Sequence, residues 1–339
     1  MRKSYLYFIV GLFAILLIGC RSDVVSTVEP GGDTEGAPLE EAELDNIPDG
    51  EIRTTEEGVK HIVDPGKIVS GGPPKDGIPS IDNPQFVTVK QADKWMDDDE
   101  LALAIVHKGV KRVYPFQIMV WHEIVNDTIA GDPILITYCP LCRSGIAYER
   151  RINGAEVEFG TSGKLYNSNL LMYDRMTDSY WTQIGGQAVV GELAGTRLTP
   201  ISIDTVVWED WKSEHPDSEV LSRETGFARS YDREPYGSYY EDGRIWFPVD
   251  ATDNRIHPKT FIFGIVVNGV PKAYREHDLK ELKVIEDTVA GVRIKLERDD
   301  AGIVEITNLE TGEEIVKEGQ FWFSWVAFHP DTELYENGL

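Results

Sequence analysis

The four residues Cys139-Pro140-Leu141-Cys142 hold the densest chemistry in this chain. Two thiols at this spacing can close a small ring, exchange with another disulfide, or place two sulfurs on one soft metal ion. As a purely structural bond the ring would restrain the unfolded chain by only about 2 kcal/mol, which is little for so tight a closure. Exchange suits the pair better, because Arg143 stands next to Cys142 and a neighbouring cation lowers a thiol pKa. Against exchange stands the hairpin pattern after Cys142, where such chemistry normally has a helix N-terminus to stabilise the thiolate. A metal site is the third reading, since Cys-Pro-x-Cys in a β-turn is half of a zinc knuckle. No second knuckle is present. His122, ahead of the strand that delivers Cys139, is the nearest further ligand of the right type, and two thiolates with an imidazole suit copper or zinc. The leading expectation is a copper or zinc site with Cys139, Cys142 and His122 as ligands; the alternatives are a thiol–disulfide or other redox enzyme with Cys139 and Cys142 as its catalytic residues, and a non-catalytic envelope binding lipoprotein in which the pair is only a structural disulfide and no cofactor is expected.

A wider set of polar residues forms a candidate pocket around the pair: Glu123, Asn167, Asp174, Arg175, Trp181 and Gln183. Each has a plainer role. Glu123 reads equally as a solvated helix residue, and Asp174 with Arg175 as an ion pair holding a hairpin. The Gly160–Asn169 stretch is polar and Gly-rich but lacks the Gly-Lys-Ser/Thr spacing of a phosphate loop. Zinc-protease, haem-attachment, nucleophile-elbow and dinucleotide motifs are also missing.

The elements that must position these residues read as mostly β. Pro133 to Tyr138 is β-branched and apolar, Gly145 to Tyr148 comes next, and Asn153-Gly154 is a two-residue hairpin signal. The Cys pair therefore falls in a turn between strands. Further hairpins are expected over Leu170 to Gln183, around Thr177-Asp178-Ser179, and over Gln187 to Leu198, around Ala194-Gly195. Helical spacing is clearest at Gln91–Trp95 and Thr205–Ser213.

Self-comparison adds an internal repeat. Lys108-Gly109-Val110 through Tyr114 recurs as Asn268-Gly269-Val270 through Tyr274, and Asn126-Asp127-Thr128-Ile129-Ala130-Gly131 recurs at the same offset as Glu286-Asp287-Thr288-Val289-Ala290-Gly291. Trp208-x-x-Trp211 with His215-Pro216-Asp217 recurs as Trp322-x-x-Trp325 with His329-Pro330-Asp331. The residues shared by both copies read as core and turn chemistry, including a packing or capping role for the two histidines. His122-Glu123, replaced by Leu282-Lys283, and the Cys turn occur in the first copy only. The expected fold is α+β and β-rich, with two related halves, several β-hairpins and few short helices.

The N-terminus reads as an address. Arg2 and Lys3 precede an apolar run too short to span a bilayer, ending in Leu17-Ile18-Gly19-Cys20, a lipobox pattern with Cys20 as the lipid anchor. The expectation is an extracytoplasmic protein anchored to a bacterial membrane, the outer one in a Gram-negative host. The expected partition is 1–19 leader, 20–64 acidic tether, 65–230 first half with the Cys turn, 231–260 Tyr-rich connector and 261–339 shorter second half. With 33 Lys+Arg against 58 Asp+Glu and a formal charge of −25, the chain repels nucleic acid. An apolar fraction of 41% with 8 Trp, 14 Tyr and 12 Phe is that of a folded protein. Its other partners are open: an envelope protein or a small molecule.

Several of these blocks together, Trp121-His122-Glu123-Ile124-Val125-Asn126-Asp127, Thr137-Tyr138-Cys139-Pro140-Leu141-Cys142, Phe159-Gly160-Thr161-Ser162-Gly163, Met172-Tyr173-Asp174-Arg175 and Trp181-Thr182-Gln183, resemble a bacterial family, domain of unknown function 3179. The resemblance implies an exported protein with a Cys-Pro-Leu-Cys turn and gives no reaction. Arg143 departs from it, since similar proteins often place Gly directly after the second Cys.

Overall fold

The computed structural model describes residues 51–336. The leader, the lipid-anchor position Cys20 and the tether up to residue 50 lie outside the described residues. Strands dominate, in sheets joined by short helices, so the expected α+β, strand-rich class holds. None of the described helices is long and apolar enough to cross a membrane.

The sheet that carries the Cys turn is built on a buried strand, Asp132–Cys139, in which every residue from Pro133 onward is buried. Its apolar β-branched run suits a strand covered on both faces. It pairs antiparallel with Ile124–Ile129 on one side and Ser144–Glu149 on the other. Beyond that, Ser144–Glu149 meets Glu318–Phe321 at Gly145↔Gly319, and the sheet continues through Phe261–Val267 and Val270–Arg275 to Glu333–Leu334. Gly145 has to be a glycine. A Cβ there would stand 2.0 Å from Leu103 Cδ2 of the strand Leu101–His107, from an adjoining sheet.

A seven-stranded sheet lies beside this one and supplies the floor of the site. Its centre is the hairpin Phe159–Tyr166 with Asn169–Asp174, continued by Tyr180–Thr182. Asp178 takes φ 59° in the expected Thr177-Asp178-Ser179 turn, and Asn153 with Gly154 takes φ 51° and 82° in the other expected tight turn. The residues 51–64, which by charge read as the end of the tether, instead add the edge strands Arg53–Thr54 and Lys60–His61, with Ile62 and Val63 buried. A few apolar residues inside this acidic stretch are enough to dock it on the sheet. The first expected helix lies earlier than expected, at Val89–Ala92, and the second starts later, at Trp208, because Asp204–Val207 pairs as a strand.

The order strand, strand, helix, strand, strand occurs twice. Leu101–His107, Val110–Pro115, Phe116–His122, Ile124–Ile129 and Asp132–Cys139 are matched by Phe261–Val267, Val270–Arg275, Glu276–Leu282, Val284–Val289 and Val292–Arg298. The sheets as a whole show no clear twofold division. The first series is split between a five-stranded sheet and the eight-stranded one, which also takes in the leading strands of the second series, while Val284–Val289 and Val292–Arg298 form a separate small sheet with Val304–Asn308. Gly145↔Gly319 interleaves the two regions, so separate halves joined by a connector do not describe the fold.

Candidate dithiol site

Cys139 ends one strand and Ser144 begins the next, with Arg143 at φ 51° closing the turn. Both cysteines are free thiols and both are buried. The turn is locked from the far end of the chain, where the Phe321 N–H donates to the Cys142 carbonyl at 2.9 Å.

The two sulfurs are unequal. Burial pushes the Cys139 thiol well above its ordinary range, and its neighbour Cys142 adds to the rise. Burial would raise Cys142 as well, but hydrogen bonds from Cys139, Ser324 and Asn169 outweigh it and hold this thiol below its ordinary value. The Asn169 amide lies 3.5 Å from the Cys142 sulfur. Ser324 Oγ is buried near this sulfur and is without a geometric hydrogen-bond partner of its own. In its protonated form Cys142 donates to the Ser168 carbonyl at 3.3 Å.

Asn169 is itself fixed by a buried polar network. Its amide also donates to Gln183 Oε1 at 2.8 Å, and its Oδ1 accepts from the Ile184 N–H at 3.1 Å. Gln183 Oε1 accepts from Ser144 Oγ at 2.6 Å, while its Nε2 donates to Thr137 Oγ1 and to the Ser144 carbonyl, both at 3.1 Å. Thr137 Oγ1 ends the chain by donating to the Ile146 carbonyl at 2.7 Å. Every donor of the two amides is used, which rigidifies the wall behind Cys142.

On the opposite side stands Glu123, the left-handed cap of the helix Phe116–His122, at φ 59°. It is buried, not a solvated helix residue. Burial pushes its carboxyl well above the usual carboxylate range, and charge on Cys139 pushes the same way. Two acidic groups this close hold one negative charge between them more easily than two.

His122 is placed elsewhere. Its Nδ1 lies 2.7 Å from the Pro79 carbonyl and its Nε2 2.8 Å from the Tyr231 hydroxyl. A carbonyl only accepts, so Nδ1 carries the proton and Nε2 accepts from Tyr231. Burial lowers its pKa to about 4, and neither nitrogen is turned toward a sulfur. Among the described residues, no three or more His, Cys, Asp or Glu side chains come together in a metal-holding group.

Of the remaining sequence candidates, only Gln183 joins the sulfur network. Asp174 holds its own hairpin, accepting from the Thr177 N–H at 2.6 Å and Trp181 Nε1 at 2.9 Å. Arg175 does not pair with Asp174 as expected; it reaches Asp82 at 2.7 Å and Glu158 at 2.8 Å. Asn167 ties distant segments, donating to the Ala327 carbonyl at 3.0 Å and accepting from the Asp250 N–H at 2.8 Å. Sequence reasoning misses Asn169, Ser144, Thr137 and Ser324. Asn169 sits at the head of an apolar strand, where an amide needs an internal partner, and that is the one readable signal.

The segment 231–260, expected as a connector, covers the turn. Tyr239, buried within the short helix Gly237–Glu241, donates its hydroxyl to the Leu141 carbonyl at 2.9 Å. Lys259 caps this ring, its Nζ 3.5 Å from the ring centre and donating to the Tyr239 carbonyl. Tyr236 and Tyr240 pack beside it, and a recess of about 200 Å³ opens between Tyr240, Tyr138, Arg143 and Glu234.

These features define a strand-rich protein with a buried, asymmetric dithiol turn under an aromatic cover. The chain belongs to the family described as "Protein of unknown function (DUF3179)", whose model matches residues 75–315. Neither the curated proteins nor the solved structures contain a match to it.

Proposed function

We propose that this protein is a lipid-anchored, extracytoplasmic thiol–disulfide exchange protein, with Cys142 as the attacking sulfur and Cys139 as the resolving one. The observation that carries the reading is the inequality of the thiols: Cys142 is served by Asn169, Ser324 and Cys139, while Cys139 stands in apolar surroundings beside Glu123. The exchange balances simply. The Cys142 thiolate attacks a partner disulfide and releases one thiolate; Cys139, on losing its proton, attacks the Cys142 sulfur and releases the second, leaving an internal disulfide. In this proposal the neighbouring Glu123 carboxyl, whose ionisation the Cys139 charge disfavours, is the group that takes up that proton as the disulfide forms. The cover at Tyr239 has to shift for a partner sulfur to enter. Cys20 as lipid anchor and the export signal belong to the same proposal, resting on the pattern of residues 2–20. We also infer that the two series of matched elements descend from one unit, supported by the paired sequence blocks.

A second reading is favoured by the lowered Cys142 thiol, since metal ligands bind deprotonated: the two sulfurs hold a copper or zinc ion. One experiment separates the two. Cys139→Ser treated with glutathione disulfide should accumulate a mixed disulfide at Cys142, and Cys142→Ser should not react. A protein that forms no mixed disulfide, but protects both thiols from alkylation only when copper or zinc is added, would replace exchange with metal binding.

A further inference from the structure

The recess beside the Cys turn has an unusual lining. Tyr240, Tyr138 and Phe116 form an aromatic wall, with Phe116 and Tyr138 rings 4.3 Å apart. Into this wall comes Arg143, whose guanidinium carbon lies 5.6 Å from the Tyr240 ring centre and 5.8 Å from that of Phe321. Its half-buried guanidinium has no side-chain hydrogen bond or ion pair among the described residues and lies over aromatic faces, with the Glu234 carboxylate feeling its charge. Its backbone is left-handed, at φ 51°, where glycine fits without penalty and arginine does not. Glu234 stands across the recess, with one carboxylate oxygen taken by the Tyr236 N–H at 2.8 Å and the other without a partner among the described residues. A cation and a half-used anion line one aromatic cavity whose Tyr138 and Arg143 are the chain neighbours of Cys139 and Cys142, while the two sulfurs pack into the core on the other face of the strand.

We propose that this recess docks one end of a small zwitterionic disulfide of the amino-acid type, with its carboxylate on Arg143, its ammonium on Glu234 and its carbon chain on the Tyr240 face. The proposal rests on the exchange reading and names its substrate class. The volume, about 200 Å³, is below the roughly 300 Å³ at which pockets for drug-sized ligands begin, and suits one amino-acid end. A planar guanidinium takes a carboxylate bidentately, which explains an arginine at this position at the cost of its backbone. The redox balance is that of the exchange: protein dithiol plus the small disulfide gives protein disulfide plus two small thiols.

The test uses a ligand that cannot react. L-cystathionine, a thioether with an amino-acid group at each end, is titrated calorimetrically into the purified full chain. Binding is expected, weakened about tenfold when both carboxylates of the probe are esterified and about tenfold in Arg143→Gly, with the ester penalty vanishing in that variant. Glu234→Gln should in the same way remove the penalty for acetylating the amines. Arg143→Gly relieves the left-handed backbone, so a folding defect is not expected to obscure its result. Absence of binding, or equal affinity for the probe and its ester, would overturn the proposal. In parallel, thiol release from L-cystine is measured: binding without release strikes the exchange reading and leaves the docking site standing, and release without binding does the reverse.

Discussion

The hairpins Ile124–Ile129/Asp132–Cys139 and Val284–Val289/Val292–Arg298 are built alike and do different work. In the first, Tyr114 donates to Asp127 Oδ2 at 2.6 Å, the Thr128 N–H donates to Oδ1 at 2.7 Å, and Arg112 pairs with it at 2.6 Å. In the second, Tyr274, the Thr288 N–H and Lys272 hold Asp287 at 2.8, 2.7 and 2.7 Å. Even the helix caps match, Glu123 at φ 59° and Lys283 at φ 62°. The hairpins differ in burial and in the segment after their last strand. Asp132–Cys139 is enclosed and turns directly through the two cysteines into Ser144–Glu149, whereas Val292–Arg298 mixes buried and open positions and passes through the exposed Asp299-Asp300 turn to the buried Ala301. One backbone plan lies partly open in one place and, in the other, is enclosed and carries the turn with the two cysteines.

The largest expected effect tests the shared plan. Asp127→Ala strips a buried partner from Arg112 and Tyr114 and should cost about 3–5 kcal/mol in urea unfolding. Asp287→Ala, at a more open position, should cost about 1 kcal/mol. Equal losses would deny that enclosure separates the two hairpins.

Next comes acid. His122 is buried neutral, with its pKa lowered from 6.5 to about 4, so the unfolded chain binds a proton that the folded chain refuses. Stability from this residue is therefore complete above pH 6.5 and falls by up to about 3 kcal/mol as the pH drops to about 4. The second series has Leu282 at the corresponding position. His122→Leu should flatten that part of the stability–pH curve, and an unchanged slope would place the acid sensitivity elsewhere. A smaller effect comes from the amide wall. Asn169→Ala should cost about 1–3 kcal/mol and move the pH dependence of Cys142 alkylation upward, since it removes a donor to the sulfur and leaves Gln183 under-used. Alkylation tracked residue by residue by mass spectrometry would show it.

Much of this is legible in the sequence where the signal is local. Asn153-Gly154 and Thr177-Asp178-Ser179 name their turns by residue type, and the β-branched run before Cys139 names its strand. Residues that arrive from far along the chain are not legible. Ser324 belongs to a Trp-x-x-Trp block that reads as core, and its place beside Cys142 depends on Gly145 meeting Gly319. His122 resembles a ligand because sequence gives proximity to a strand but not the direction of a ring; Pro79 and Tyr231 set that direction. Glu123 falls on a polar helix end, and only the folded cover above it makes it buried. The tyrosines of 231–260 are visible as a cluster, yet nothing local says that Tyr239 reaches Leu141.

Whether the enclosed turn is a working dithiol is tested most directly by its reduction potential. The full chain is equilibrated across glutathione and dithiothreitol buffers, quenched with an alkylating agent, and the Cys139–Cys142 state is read by mass. A working dithiol gives one reversible two-electron transition with a midpoint less negative than about −270 mV, in the range of exchange proteins, and that is the predicted result. A midpoint below about −300 mV, as in structural disulfides, or a pair that never oxidises, would contradict it.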